Sequence, residues 1–175
     1  MAEEKVILVD ENDSQIGLMN KMEAHEKGAL HRAFSIFIFN SKGEFLIQQR
    51  AFSKYHSGGE WANTCCSHQR EGETTLEAAH RRLVEEMGFD VDLKEVFNFT
   101  YKKEFGNGLT EHEFDHVVFG EFEGNPVPNP DEVANWKYIT LKDLKSEIAA
   151  HPEQYTIWLQ IALKEVELHL ENKSV

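Results

Sequence analysis

The sequence predicts an α+β fold in which a mixed β-sheet is covered by helices. Residues 32–39, Arg-Ala-Phe-Ser-Ile-Phe-Ile-Phe, form an apolar run rich in aromatic and β-branched side chains, as a buried strand requires. Residues 74–88 show helical periodicity with a stop or start signal at each end. Strand-like and helix-like segments then intermix without strict βαβ alternation, which favours a mixed sheet over a doubly wound parallel one.

In chain order, residues 6–9 read as a short strand, followed by a polar turn over 10–14. After the 32–39 strand, Asn40-Ser-Lys-Gly43 supplies turn chemistry and residues 45–50 return as a second strand, so the pair reads as a hairpin. Thr74 and Glu77 have capping-box spacing, and Leu76, Ala79, Leu83 and Met87 recur near the helical period. Gly88 stands where a helix ends in the left-handed conformation. Residues 97–105 and 110–122 read as strands. Thr140 with Asp143 opens a short helix, and residues 153–170 read as a longer amphipathic one.

The 175 residues suit one domain spanning 1–175. A net charge of -13, from 18 basic and 31 acidic residues, disfavours nucleic acid and anionic lipid as partners. No apolar run is long enough to span a bilayer, and residues 1–10 lack the basic-then-apolar layout of a secretion signal. Cys65 and Cys66 are adjacent and cannot staple distant segments, so a reducing, cytoplasmic compartment fits best. The expected partner is a small molecule, and a monomer is the default state. For Cys66 alone, a small buried hydrophobe is the competing interpretation.

Potential metal ligands fall in separate regions. His25 and His31 precede the first long strand, and His68 closes Trp61-Ala-Asn-Thr-Cys-Cys-Ser-His68. Glu111 and Glu113 lie in Thr110-Glu-His-Glu-Phe-Asp-His116. Side chains alternate along a strand, so Glu111 and Glu113 share one face while His112 points away. Paired carboxylates repel unless a cation or solvent separates them. Imidazole plus carboxylate suits Mn, Mg or Zn. On spacing alone, exposed strand charges and satisfied histidines remain the competing interpretation.

Glu73, Arg81, Leu83, Glu85, Glu86, Gly88 and Phe89 stand at spacings that resemble the Nudix box, a helix whose glutamates bind the Mg ion of a diphosphate substrate. Ser67 replaces the leading glycine, and Arg82 replaces a metal-binding glutamate of the hydrolases. A cation at that position argues against hydrolysis. The run 61–68 is similar to the cysteine motif of type I isopentenyl-diphosphate isomerases, with Gln69 where proline is usual. The upstream histidines, the altered box and the Glu111-x-Glu113 pair stand in that family's order, over roughly residues 5–158.

That resemblance implies a Nudix-type α/β/α sandwich and double-bond isomerisation of a five-carbon diphosphate through a tertiary carbocation. It implies one divalent metal on His25, His31, His68, Glu111 and Glu113, and a second ion, Mg, on Glu86 and the substrate. Lys21, Arg50, Lys54 and Arg82 would bind the diphosphate. Cys66 and Glu113 would serve opposite faces of the alkene, Tyr101 would assist at Glu113, and Trp158 would face the carbocation. Trp61 would form a pocket wall. The rival functions are a Nudix hydrolase of a diphosphate and a catalytically silent binding module.

Overall fold

The computed structural model describes residues 4–54, 57–105 and 108–173. Residues 1–3, where the N-terminal reading began, lie outside that range. Strands β1 (Lys5–Val9) and β2 (Gln15–Asn20) form a hairpin and lead into the short helix α1 (Lys21–Lys27). Strands β3 (His31–Phe39), β4 (Phe45–Arg50), β5 (Trp61–Ala62) and β6 (Cys65–Ser67) follow, and then helix α2 (Thr75–Met87). The long strands β7 (Leu93–Phe105) and β8 (Leu109–Glu121) precede β9 (Val133–Ile139), α3 (Leu141–Ala150), a 3₁₀ turn (Pro152–Gln154) and α4 (Ile157–Lys173).

The apolar strand β3 is the centre of the sheet. One edge runs parallel to β8, from His31 opposite Glu113 to Phe39 opposite Glu121. Its other edge is shared by β1, β6 and β4, all antiparallel, so the sheet is mixed. Alternation along β3 decides how the layers form. Phe34, Ile36 and Ile38 pack with Ala78, Ala79, Leu83 and Met87 of α2. Phe37 points the other way, into a cluster with Leu144 of α3 and Leu159, Ala162, Leu163 and Val166 of α4. Helices therefore cover both faces, and each fully buried aliphatic side chain contributes about 1.5–3 kcal/mol.

Helix α2 begins and ends as its sequence requires. Thr74 Oγ1 accepts from the Glu77 amide at 3.1 Å while Glu77 Oε1 accepts from the Thr74 amide at 3.0 Å. Gly88 takes φ 71°, and a Cβ there would lie 2.1 Å from the Val127 carbonyl oxygen. The last helix differs from the 153–170 expectation, because it starts only at Ile157. Thr156 donates its amide to the Trp61 carbonyl at 2.9 Å, and its side chain caps the Leu159 amide at 3.2 Å. His31, expected just before the strand, is its first residue. Among the described residues no helix is long and apolar enough to cross a membrane.

Candidate active site

The parallel register of β3 and β8 places His31 opposite Glu113, and the antiparallel register of β7 and β8 places Tyr101 opposite the same glutamate. Helix α1 brings in His25, and the turn after β6 brings in His68. Glu113 Oε2 lies 3.3 Å from His31 Nε2 and 3.1 Å from His68 Nε2, while its Oε1 accepts from the Tyr101 hydroxyl at 2.5 Å. His25 Nε2 is 3.1 Å from Glu111 Oε1. The alternation expected for this strand is present: His112 turns away and meets the Gly28 carbonyl at 3.0 Å.

These atoms converge as metal donors do. The ligand atoms of His25, His31 and Glu111 lie within 4.8 Å of one another, and so do those of His31, His68 and Glu113. His31 Nδ1 donates to the Ala29 carbonyl at 2.9 Å, which fixes the ring with Nε2 facing the cluster. Nε2 of His25 and Oε2 of Glu111 are buried without a hydrogen-bond partner among the described residues. Buried polar atoms left this way are costly unless a ligand satisfies them, and a divalent cation fits this donor set.

Burial and proximity set the charges. Burial, aided by the neighbouring His31, holds His25 down at about 4. Burial likewise holds His68 at about 4 despite its contact with Glu113. Glu113 overcomes its burial through the hydrogen bonds of His31 and His68 and sits well below the ordinary carboxylate range. Glu111 is pushed up to about 9 by burial and then by the Glu113 charge. Two neutral imidazoles and one carboxylate that has not ionised form a site ready to exchange a proton for a cation.

The thiol lines the same cavity as Glu113. Strand β6 pairs with β3 so that Cys66 stands opposite Ser35. Cys66 Sγ donates to Asn63 Oδ1 at 2.9 Å, and the Asn63 amide nitrogen donates to the Ile36 and Cys65 carbonyls at 3.1 and 3.0 Å. That clamp fixes the asparagine oxygen toward the thiol. Burial, then the nearby Asp115 carboxyl, raises the Cys66 pKa. Cys65 is the fully buried hydrophobe of the two cysteines, donating to Glu86 Oε2 at 2.9 Å.

A cavity of about 780 Å³ joins these walls. Cys66, Tyr101, Glu113 and Trp158 line it together, and Lys21, Arg50, Lys54 and Arg82 line it as well. Arg82 Nη2 reaches Glu86 Oε2 at 2.9 Å and Glu132 Oε2 at 3.7 Å, and Lys54 also pairs with Glu132. Lys21 lies 3.7 Å from Glu4. Trp61 does not fit the expected role of a pocket wall. Its ring is covered by Lys137 Nζ at 4.7 Å and packs with the α4 cluster, because the two-residue strand β5 turns it toward that layer.

The Nudix domain family matches residues 29–159. An isopentenyl-diphosphate Delta-isomerase of Aromatoleum aromaticum is 54% identical over 164 residues, covering 94% of this chain and 87% of that protein. The isopentenyl-diphosphate Delta-isomerase of Pectobacterium atrosepticum is 51% identical over 162 residues, 93% of this chain and 90% of that protein. The chain belongs to the type I isopentenyl-diphosphate Delta-isomerase family of the Nudix superfamily. Among solved structures, a Deinococcus radiodurans protein superposes with a TM-score of 0.77 at 23% identity, over 93% of this chain and 98% of its own. The MutT protein of Methanosarcina mazei gives 0.65 at 17% identity, over 82% and 96%. At those identities the likeness shows the fold alone.

Within this isomerase scaffold, several site residues escaped the sequence reading. Asp115 continues the alternation of Glu111 and Glu113 on β8, is 2% exposed, and accepts from Ser35 Oγ at 2.8 Å. Its spacing could have revealed it. Ser35 had no such signal, since only the β3–β6 register carries it to 3.8 Å from the Cys66 sulfur. Glu132 and Glu4 reach the cavity from segments with no motif. Gln69, at the departure from proline, is buried and donates to Thr75 Oγ1 at 2.9 Å, tying the loop to the start of α2.

Proposed function

We propose that this protein interconverts isopentenyl diphosphate and dimethylallyl diphosphate, in isoprenoid biosynthesis, by adding a proton at one carbon of the alkene system and removing one from another. The observation that carries this reading is that Cys66 and Glu113 line one cavity whose remaining wall bears Lys21, Arg50, Lys54 and Arg82. Isomerisation through a tertiary carbocation needs an acid and a base on opposite faces and exclusion of water. Hydrolysis needs neither the thiol nor the aromatic face.

The cations hold the diphosphate and leave the five-carbon chain in the cavity between thiol and carboxyl. Arginine grips phosphate with two parallel N–H donors and lysine with a point charge. One of Cys66 and Glu113 delivers a proton to the alkene and the other takes one from the adjacent carbon, and the two exchange roles in the reverse direction. Tyr101 holds Glu113 and shares in that transfer through their 2.5 Å hydrogen bond. Trp158 turns its ring to the cationic centre, where a desolvated contact is worth about 2 kcal/mol. His25, His31, His68, Glu111 and Glu113 would hold one Mn²⁺, Mg²⁺ or Zn²⁺ ion, and Glu86 a substrate-bound Mg²⁺. When bound, such ions would supply positive charge against the paired carboxylates and the diphosphate.

The test is product analysis after incubation with isopentenyl diphosphate and Mg²⁺ or Mn²⁺. Dimethylallyl diphosphate is the expected product. Free phosphate or pyrophosphate would establish hydrolysis instead, and unchanged substrate would leave only a binding role.

A further inference from the structure

One carboxylate oxygen serves two of the cations assigned to the diphosphate. Glu132 Oε2 accepts from Lys54 Nζ and lies 3.7 Å from Arg82 Nη2, and the same Nη2 donates to Glu86 Oε2 at 2.9 Å. The backbone builds this meeting from both sides. Ala51, just past the end of β4, donates its amide to the Glu132 carbonyl at 3.0 Å, and its own carbonyl accepts from the Lys54 amide at 3.1 Å. On the other side, the Glu132 amide donates to the Asn129 carbonyl at 3.0 Å, and the Asn129 amide donates to the Glu86 carbonyl at 2.9 Å. Glu86 lies in the last turn of α2, four residues after Arg82. Glu132 therefore sits where the segment carrying Lys54 meets the helix carrying Arg82, and it lines the cavity with its side chain 25% exposed.

A carboxylate at this point works against a bare anion, because a diphosphate must approach Lys54 and Arg82 in the face of a fixed negative charge. A diphosphate that carries Mg²⁺ meets the same carboxylate differently. The ion lowers the charge of the ligand and presents a hard dication, which favours oxygen donors such as the Glu86 and Glu132 carboxylates. The phosphate oxygens then take over the guanidinium, whose paired N–H donors suit them. We propose that Glu132 is a specificity-determining residue, which makes the cavity choose the Mg²⁺-complexed diphosphate over the metal-free anion. The inference rests on the reading that Lys54 and Arg82 hold the diphosphate. In the empty cavity Glu132 supplies the oxygen that a phosphate would otherwise supply to the two cations. In the filled one its charge favours the ligand that brings a dication with it.

Binding of inorganic pyrophosphate tests this without turnover. The protein, loaded with a divalent ion and freed of excess, is titrated calorimetrically with pyrophosphate alone and with pyrophosphate plus Mg²⁺. Metal content is measured after each titration, and thermal melting checks that each variant is folded. The wild type should prefer the Mg²⁺ complex. Glu132→Gln keeps the side-chain shape and removes the charge. It should bind metal-free pyrophosphate about tenfold tighter, and the Mg²⁺ complex within about threefold of the wild type. Glu71→Gln removes a charge elsewhere on the cavity lining and should move both ligands alike. An unaltered preference in Glu132→Gln, equal tightening of both ligands, or a wild type indifferent to Mg²⁺ would each overturn the proposal. A change of preference in Glu71→Gln as large as that in Glu132→Gln would also overturn it, by showing a general field in place of a local one. A protein that shows the Glu132-dependent preference yet forms no dimethylallyl diphosphate refutes the isomerase reading alone. One that forms product while Glu132→Gln keeps the wild-type preference refutes this inference alone.

Discussion

Loading the metal-free protein with a divalent ion at pH 7 should expel a proton, and Glu111 should be its source. Glu111 is held up to about 9 by burial and by the adjacent Glu113 charge, so it carries its proton at pH 7. His25 and His68, both near 4, are already neutral and release nothing. His31 is raised: burial opposes its charge, but the hydrogen bond and charge of Glu113 outweigh that, so it adds a fraction of a proton. The sign follows directly. Below the Glu111 pKa the ion must displace a proton, so affinity falls as pH falls, and the dependence flattens above about 9. One displaced proton makes the ion bind about tenfold tighter per pH unit, or about a hundredfold between pH 6 and pH 8. Calorimetry in two buffers of different ionisation enthalpy counts the protons. In Glu111→Gln the count and the slope should each drop by about one, alongside a loss of affinity. An unchanged proton count in that variant, or metal affinity flat from about pH 6 to pH 8, would refute the electrostatic account of the site.

Three further outcomes are expected. Cys66→Ala should lower turnover by about a hundredfold or more while metal content and melting temperature stay near wild type, because the side chain faces the cavity rather than the core. Near-normal kcat would remove the thiol from the chemistry. Tyr101→Phe deletes a 2.5 Å hydrogen bond to a charged carboxylate, worth about 1.5–3 kcal/mol, so kcat should fall roughly ten- to hundredfold with the metal retained. A kcat within twofold of wild type would show the tyrosine to be a spectator. Gly88→Ala should cost at least about 2 kcal/mol, since φ 71° strains any L side chain and the new Cβ would meet the Val127 carbonyl at 2.1 Å. Melting should drop by roughly 5 °C or more, and an unshifted curve would contradict the cap geometry.

Legibility followed the range of the physical signal. The β3–β4 hairpin, the capped helix α2, and the strands β7 and β8 were readable because each carries its periodicity and end signals within a few residues. The short elements were not. Strands β5 and β6 span two and three residues, too few to show alternation, and α1 is a seven-residue helix whose Asn20 makes no side-chain cap. The start of α4 was misplaced because a remote carbonyl, that of Trp61, decides it.

The sequence by itself determined the fold class and the family, and it named the side chains proposed for metal, diphosphate and proton transfer. Residue type, capping and spacing are local properties and survive in one dimension. Only the tertiary structure decided that Glu113 meets His31, His68 and Tyr101, that Ser35 and Asp115 stand behind Cys66, and that Arg50 rests on Trp158. Those meetings depend on the register of the β3–β8, β7–β8 and β3–β6 pairings and on where β5 anchors α4. Register between segments distant in the chain is set by how two helical layers pack on one sheet, and no local stretch of residues carries that information.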